Sequence, residues 1–409
     1  MRTGERSSEI GMSSLGEQRV LILHNRYRQP GGEERYVEQL ADLLQREAEF
    51  SALLERSSSR SGAVKAGSAL VRGGLNADEV GDFVRDNSIT VVHAHNILPS
   101  FGWRGLAAAS EAGAAVVLHL HNYRLFCAIG TAFRDGHDCT ECAPKNTGAG
   151  KSTGAGLRHN CRGSLPEAAA YAYGLGRWQS ATIESVDRFA APVRQLGEDL
   201  TALGIDLPVS VLPSWLPDSE FANTSQAGSG EYALFVGRVT EDKGIFVAIE
   251  AAAASGVPLR VAGDGPDIRR AQQLAAERAA PVEFLGRIDG QAMVAARMGA
   301  AFAVLPSIWR EVLPLSALEA LSAGLPLVTS DRGGLPELTE PGLVFAAGDH
   351  EAMAGVMTRL FADSGVRRAA GSAALDRARA VYSEAAFGPR LAALYDDAIA
   401  ARAARVNSA

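Results

Sequence analysis

Short, continuously apolar runs rich in β-branched residues alternate along this chain with longer stretches whose apolar positions recur every three to four residues. One set of runs is Arg19–Asn25, Ile89–His93, Ala115–His121, Arg188–Ala191 and Val209–Leu212. A second set is Tyr232–Arg238, Pro258–Ala262, Val282–Leu285, Ala301–Leu305 and Leu327–Ser330. Apolar at consecutive rather than alternate positions, they read as strands covered on both faces. Between them, Glu33–Arg46 puts Val37, Leu40 and Leu44 on one helical face, and the Ala-rich stretches Lys243–Ala254 and Pro266–Ala279 are as regular. Strand-helix-strand repetition predicts parallel sheets with right-handed crossovers, an α/β chain.

The pattern occurs twice, and Pro213–Glu231 between the two sets is rich in Ser, Pro, Gly and Asn, the composition of a linker or long surface loop. Two doubly wound domains are expected, over residues 19–206 and 207–384, followed by a separate helix over 385–409. The 409 residues carry 40 Lys+Arg against 47 Asp+Glu, a formal net charge of −7, which argues against a nucleic-acid-binding surface spread over the whole protein. With 47% hydrophobic residues, wholesale disorder is excluded. No apolar run reaches the ~18 residues of a spanning helix. Residues 1–18 lack the apolar stretch of a secretory signal, so a disordered tail and a cytoplasmic protein are expected.

Candidate chemistry gathers where strands end. In Leu305–Gly324 (LPSIWREVLPLSALEALSAG) a strand runs out, Pro314 suits a helix start, and Gly324 with Pro326 marks its stop. Leu315 and Ser316 then offer helix N-terminal amides, a ready anion site. Glu311 lies in the loop before that helix and Glu319 one turn inside it; both can face the crevice where open α/β sheets bind ligands, or both can be solvated acids. Tyr232–Lys243 (YALFVGRVTEDK) places Arg238 at a strand end and Lys243 at a helix start. Two cations there suit a diphosphate, or a salt bridge to Glu241 or Asp242. Val261–Pro266 and Gly333–Glu337 add glycine turns at two more strand ends.

In the first half, Gln29–Glu34 (QPGGEE) follows the first strand, and Gly31 and Gly32 permit close backbone approach. It is not the dinucleotide-binding G-x-G-x-x-G pattern. His121 ends a predicted strand and reads either as a site residue or as a structural histidine. His93-x-His95 and His119-x-His121 could each put two imidazoles on one strand face, but zinc needs a third ligand that the sequence does not identify. Lys145–Ser152 ends like a phosphate-binding loop, yet Lys145 stands where its first glycine belongs and no strand precedes it. Gly148–Gly156 is expected to be a flexible loop. The spacing of Cys127, Cys139, Cys142 and Cys161 admits a thiolate quartet for structural zinc, and equally four reduced thiols.

These residues resemble the retaining glycosyltransferases of family 4, which have the GT-B fold of two Rossmann-like domains facing across a cleft. Glu311 to Glu319 matches the family's E-x7-E motif; VGRVTEDKG resembles its donor-diphosphate turn, HNRYRQPGGEE its N-terminal glycine loop, and LHLHNYRLFC the segment bearing its active-site histidine. AGDGP, FLGRI and SDRGGLPEL follow in the family's order, and the likeness covers about residues 19–400. Many members open the E-x7-E segment with E-G-F-G; here it is Glu311-Val312-Leu313-Pro314, which leaves the sugar open.

The resemblance implies a nucleotide-diphosphate sugar donor and a sugar, lipid or small-molecule acceptor, with no nucleic acid and with peripheral membrane contact left open. Arg238 and Lys243 would hold the diphosphate beside Gly237, Glu319 the ribose, and Glu311 the transferred sugar. Leu313, Pro314, Leu315 and Ser316 would line the donor, and backbone near Arg287 and Ile288 would meet the base. His121 would serve catalysis. The acceptor would lie near it and near Gly31 and Gly32, two glycines also counted among the donor contacts. No cofactor would be needed for transfer. A GT-B sugar-nucleotide epimerase or phosphorylase, and a catalytically silent sugar-nucleotide-binding homologue, are the rival readings.

Overall fold

The structure is a computed structural model that describes residues 15–27, 31–148 and 154–408, apart from the side chains of 58–61. The first sheet comprises β1 (Arg19–Arg26), β2 (Phe50–Ser57), β3 (Val91–Ala94), β4 (Ala115–His119), β5 (Arg188–Ala191) and β6 (Val209–Val211), in the order β2-β1-β3-β4-β5-β6. β1 is buried from Val20 to Asn25, and β3 and β4 are buried throughout, as their unbroken apolar runs require. β1 pairs in parallel with β2 and β3, and β4 in parallel with β3 and β5.

The second sheet comprises β7 (Tyr232–Val236), β8 (Leu259–Ala262), β9 (Val282–Gly286), β10 (Ala300–Leu305), β11 (Leu327–Ser330) and β12 (Val344–Phe345). Its order is β9-β8-β7-β10-β11-β12, the doubly wound arrangement in which strand order reverses between β7 and β10. Its core packs Phe235, Ile249, Val261, Phe302 and Val304, each under 4% exposed. Burying a side chain of that size is worth about 1.5–3 kcal/mol. Helix α2 (Ile245–Ser255) turns Ala248, Ala251 and Ala252 into this core, and side chains that small let a helix lie close on a sheet. The α/β class and the two Rossmann-like sheets are as expected.

The chain packs as two compact units. The first is Met1–His119, Ala181–Ala190 and Gly388–Ala409, and the second is Leu120–Ser180 with Ala191–Phe387. Residues 120–180 thus group with the second sheet, whereas the sequence pattern had assigned them to the first domain. In the first unit, the last helix α4 (Glu384–Ser408) sends Arg402 to the Ser110 and Gly113 carbonyls and Arg405 to Asp187. No described helix is long and apolar enough to cross a membrane.

Several local expectations need correction. β4 stops at His119, so His121 lies two residues past the strand. Lys243 ends a 3-10 turn, Glu241–Lys243, and α2 begins only at Ile245. The expected tail is shorter, because Leu15–Glu17 form a turn with Leu15 buried; residues 1–14 lie outside the described residues. Of the loop expected over Gly148–Gly156, residues 149–153 are also outside them, and Gly154–Arg158 is helical.

Candidate active site

The loops leaving β7 and β10 meet at the reversal point of the second sheet. Lys243, after β7, donates its ammonium to Glu311 Oε1, after β10. The same oxygen accepts from Ser307 Oγ at 2.8 Å and from Trp309 Nε1 at 2.9 Å. Lys243 Nζ also stands 4.9 Å from the centre of the Trp309 ring, a cation–π contact. Glu311 is buried, and three donors on one oxygen hold its carboxylate in a single orientation. Ser307 and Trp309 were not singled out from the sequence. Their position four and two residues before Glu311, in a strand-end loop, was the only signal.

Backbone pins both loops. Gly333 has φ +56°, and a Cβ there would lie 2.0 Å from the Glu311 carbonyl oxygen, so only glycine fits. The next amide, of Gly334, donates to that oxygen at 2.7 Å. Ser330 Oγ donates to the Ser307 carbonyl at 2.6 Å, and the Ile308 amide to the Asp242 carbonyl at 2.9 Å. On the β7 side, Gly263 has φ +153° and a Cβ would meet the Gly237 carbonyl oxygen at 1.8 Å. The two glycine turns read from the sequence are therefore packing devices that fix the loops carrying Gly237, Arg238 and Glu311.

Arg238 is exposed, and its guanidinium reaches Asp242 at 3.5 Å, an i,i+4 surface pair worth about 0–1 kcal/mol at most. Helix α3 (Leu315–Ser322) starts after Pro314, which is its N-cap rather than its first helical residue. The Leu315 and Ser316 amides belong to the first turn, where a helix supplies no internal acceptor. It ends in a Schellman turn: Gly324 donates to Leu321 and Leu325 to Ala320, both at 2.9 Å. Glu319, one turn in, is bonded to Arg297, a partner that no sequence motif marked. Leu313 and Ile288 pack at the edge of the apolar cluster around Leu318 and Leu321, and Arg287 is exposed just past β9.

Beside Glu311, Arg310 points the other way, into a network that sequence reasoning missed. It binds Asp199 Oδ1 at 2.8 Å and Asp138 Oδ2 at 3.0 Å, and Arg332 reaches the same Asp138 oxygen at 3.3 Å. Burial works against the Arg310 charge, but Asp199 and Asp138 outweigh it and raise its pKa above the ordinary value. Tyr123 donates to Asp199 Oδ2 at 2.6 Å, two residues after His121. Burial, then the Asp199 charge, pushes its phenol well above the usual range. His121 itself is half-buried in the turn after β4, where Asn122 Oδ1 accepts the Arg124 amide at 3.0 Å.

In the first unit, Gly31 is the N-cap and Gly32 the first residue of α1 (Gly32–Glu47), and both are exposed. Glu34 accepts from the amides of Gly31 at 2.7 Å and Tyr27 at 2.9 Å. Burial acts to raise the Glu34 carboxyl, but His24 and those amides outweigh it and hold its pKa below the ordinary value.

The four cysteines line one pocket with Phe126, Phe133 and His159, and none is in a disulfide. Burial pushes the Cys142 thiol up to about 11. Of the two readings the cysteine spacing admits, the zinc quartet is not supported. Among the described residues, the metal-ligating atoms that gather within 4.8 Å of one another are those of His93, His95 and His119, not the four sulfurs, which line the pocket wall without converging.

Residues 218–377 match the family model of glycosyl transferases group 1, a span holding Arg238, Lys243, Arg287, Ile288, Glu311 and Glu319. Glycogen synthase of Mycobacterium tuberculosis is 40% identical over 113 residues, 25% of this chain. The match spans 27% of that relative's length. Among solved structures, sucrose-phosphate synthase from Thermosynechococcus elongatus superposes with a TM-score of 0.67 at 17% identity, over 94% of this chain and 100% of its own. Anabaena HepE in complex with UDP and glucose gives 0.62 at 14% identity, over 93% and 100%. Those likenesses show the fold, that of the GT-B enzymes. Motif order, matched segment and fold together make residues 218–377 similar to the glycosyl transferases group 1 family.

Proposed function

We propose that this protein is a retaining glycosyltransferase that moves a sugar from a nucleotide-diphosphate sugar to a sugar, lipid or small-molecule acceptor in carbohydrate biosynthesis. The observation that carries the reading is the Lys243–Glu311 bridge at the strand-order reversal of the second sheet, the place where doubly wound sheets bind ligands. The UDP and glucose held by a protein of the same fold support a nucleoside-diphosphate donor.

In this reading Arg238 and Lys243 neutralise the leaving diphosphate, joined by the Leu315 and Ser316 amides. Arg238 gives up a weak surface contact to do so. Lys243 has three protons and spends one on Glu311. With Oε1 of Glu311 committed to three protein donors, Oε2 is the atom assigned to the sugar hydroxyls. Glu319, oriented by Arg297, takes the ribose. Arg287 and Ile288 flank the base; Gly31 and Gly32 of the first unit are assigned to the acceptor, and His121 of the second unit to catalysis. The departing phosphate oxygen takes the acceptor proton, so no side chain needs to act as nucleophile. Fixed charges stand where other transferases recruit a divalent cation, so transfer needs no metal. Reduced thiols fit a cytoplasmic setting.

The test is turnover, as transfer or donor hydrolysis. Arg238→Ala should lower kcat by about 10²–10³, the loss expected for one preorganised stabiliser. Near-normal turnover in that variant would sink the assignment.

A further inference from the structure

The sequence offered two His-x-His pairs and no third ligand. The fold supplies one. His93 lies in β3 opposite Val117 of β4. Two residues on, where the strand's period returns a side chain to the same face, His95 comes level with His119 at the end of β4. All three rings are 3% exposed or less, an uncommon depth for histidine. One nitrogen from each ring lies within 4.8 Å of the other two. His93 and His119 lie at 6° between planes with centres 5.5 Å apart, and His95 is tilted by 28° from His93 and 25° from His119.

We propose that His93, His95 and His119 form a resident site for a divalent cation of the zinc class. Three neutral imidazoles are a recognised ligand set for such ions, and imidazole suits zinc, copper and nickel better than magnesium or calcium. The surroundings match what metal-bound imidazoles need. Tyr395 of α4 sits 3.0 Å from His93 Nδ1, and Tyr36 of α1 sits 3.3 Å from His119 Nδ1. A hydroxyl that accepts the Nδ1 proton sets the tautomer whose Nε2 carries the ligating lone pair, and it fixes the ring's direction. Zinc–nitrogen bonds of about 2.0–2.1 Å put ligand nitrogens roughly 3.4 Å apart, so the three nitrogens, within 4.8 Å of one another here, need only close in slightly on an ion. A water would complete four-coordination. Burial makes the site closed, so the ion is taken up with folding and serves the first unit's stability, independently of the transfer reaction.

The experiment uses the full chain, purified without chelator or metal-affinity resin. Elemental analysis should find about one zinc per chain, and zinc-edge X-ray absorption should show imidazole scattering in the first shell with no sulfur. In a competition with a chromophoric chelator, His95→Gln should bind zinc at least about 100-fold more weakly, while Cys142→Ser should bind it as the parent does. If His95→Gln does not fold, the absorption measurement on the parent decides alone. Zinc far below one equivalent with no rise in melting temperature when Zn²⁺ is added back, or a first shell of sulfur, would overturn the proposal.

Discussion

Glu34 is a carboxylate buried at the start of α1, and its partners tie its protonation to stability. The amides of Gly31 and Tyr27 bond to it, and His24 lies 3.8 Å away. Its pKa is lowered in the folded chain, so its contribution is fully present above the unfolded glutamate value, about 4.3, and is lost as pH falls through the lower folded value. Glu34→Gln should therefore cost about 1–2 kcal/mol in urea unfolding at pH 7. The gap to the parent should narrow as pH drops below about 4. A gap that stays constant with pH would show that the charge plays no part. At this scale the sequence singled out Arg238, Lys243, Glu311 and Glu319 as candidates, because strand ends and helix starts can be read locally. Their partners could not be read. Arg310 meets Asp138 across 172 residues, and only the fold brings such groups together. The third histidine of the buried trio was hidden for the same reason, since strand register and not spacing sets His119 beside His95.

At the scale of elements, the central strands were legible because burial on both faces leaves an unbroken apolar run. The edge strand Phe50–Ser57 escaped because one side of it meets solvent and polar residues interrupt it. Val344–Phe345 is too short to leave a pattern. Lys243 was expected at a helix start, but Gly244, with φ +74°, interrupts the helical path there and leaves the lysine at the end of a separate turn. The turns Val261–Pro266 and Gly333–Glu337 were read only as glycine turns at strand ends, and their function as clamps emerges from what a Cβ would strike. Gly333→Ala should force the Glu311 carbonyl away and cost about 2–4 kcal/mol in thermal or urea unfolding. Donor turnover should fall with it, because the displaced backbone carries Glu311. Unchanged stability and turnover would mean that this turn does not hold the site.

At the scale of the molecule, the proposed chemistry rests on fixed charge rather than a recruited ion. Transfer in excess EDTA, with brief exposure so that tightly held ions stay bound, should proceed at the untreated rate. Loss restored by Mg²⁺ or Mn²⁺ but not by Zn²⁺ would refute the metal-free reading. The central claim is that the strand-order reversal of the second sheet binds the diphosphate of a nucleotide sugar. Calorimetric titration tests it most directly, with UDP, GDP and ADP compared against their nucleosides on the parent protein and on Arg238→Ala. One of the three diphosphates should bind the parent at least about tenfold more tightly than its nucleoside, a difference of about 1.4 kcal/mol, and Arg238→Ala should remove most of that preference. Equal affinity for nucleoside and diphosphate, or a preference that survives Arg238→Ala, would contradict it.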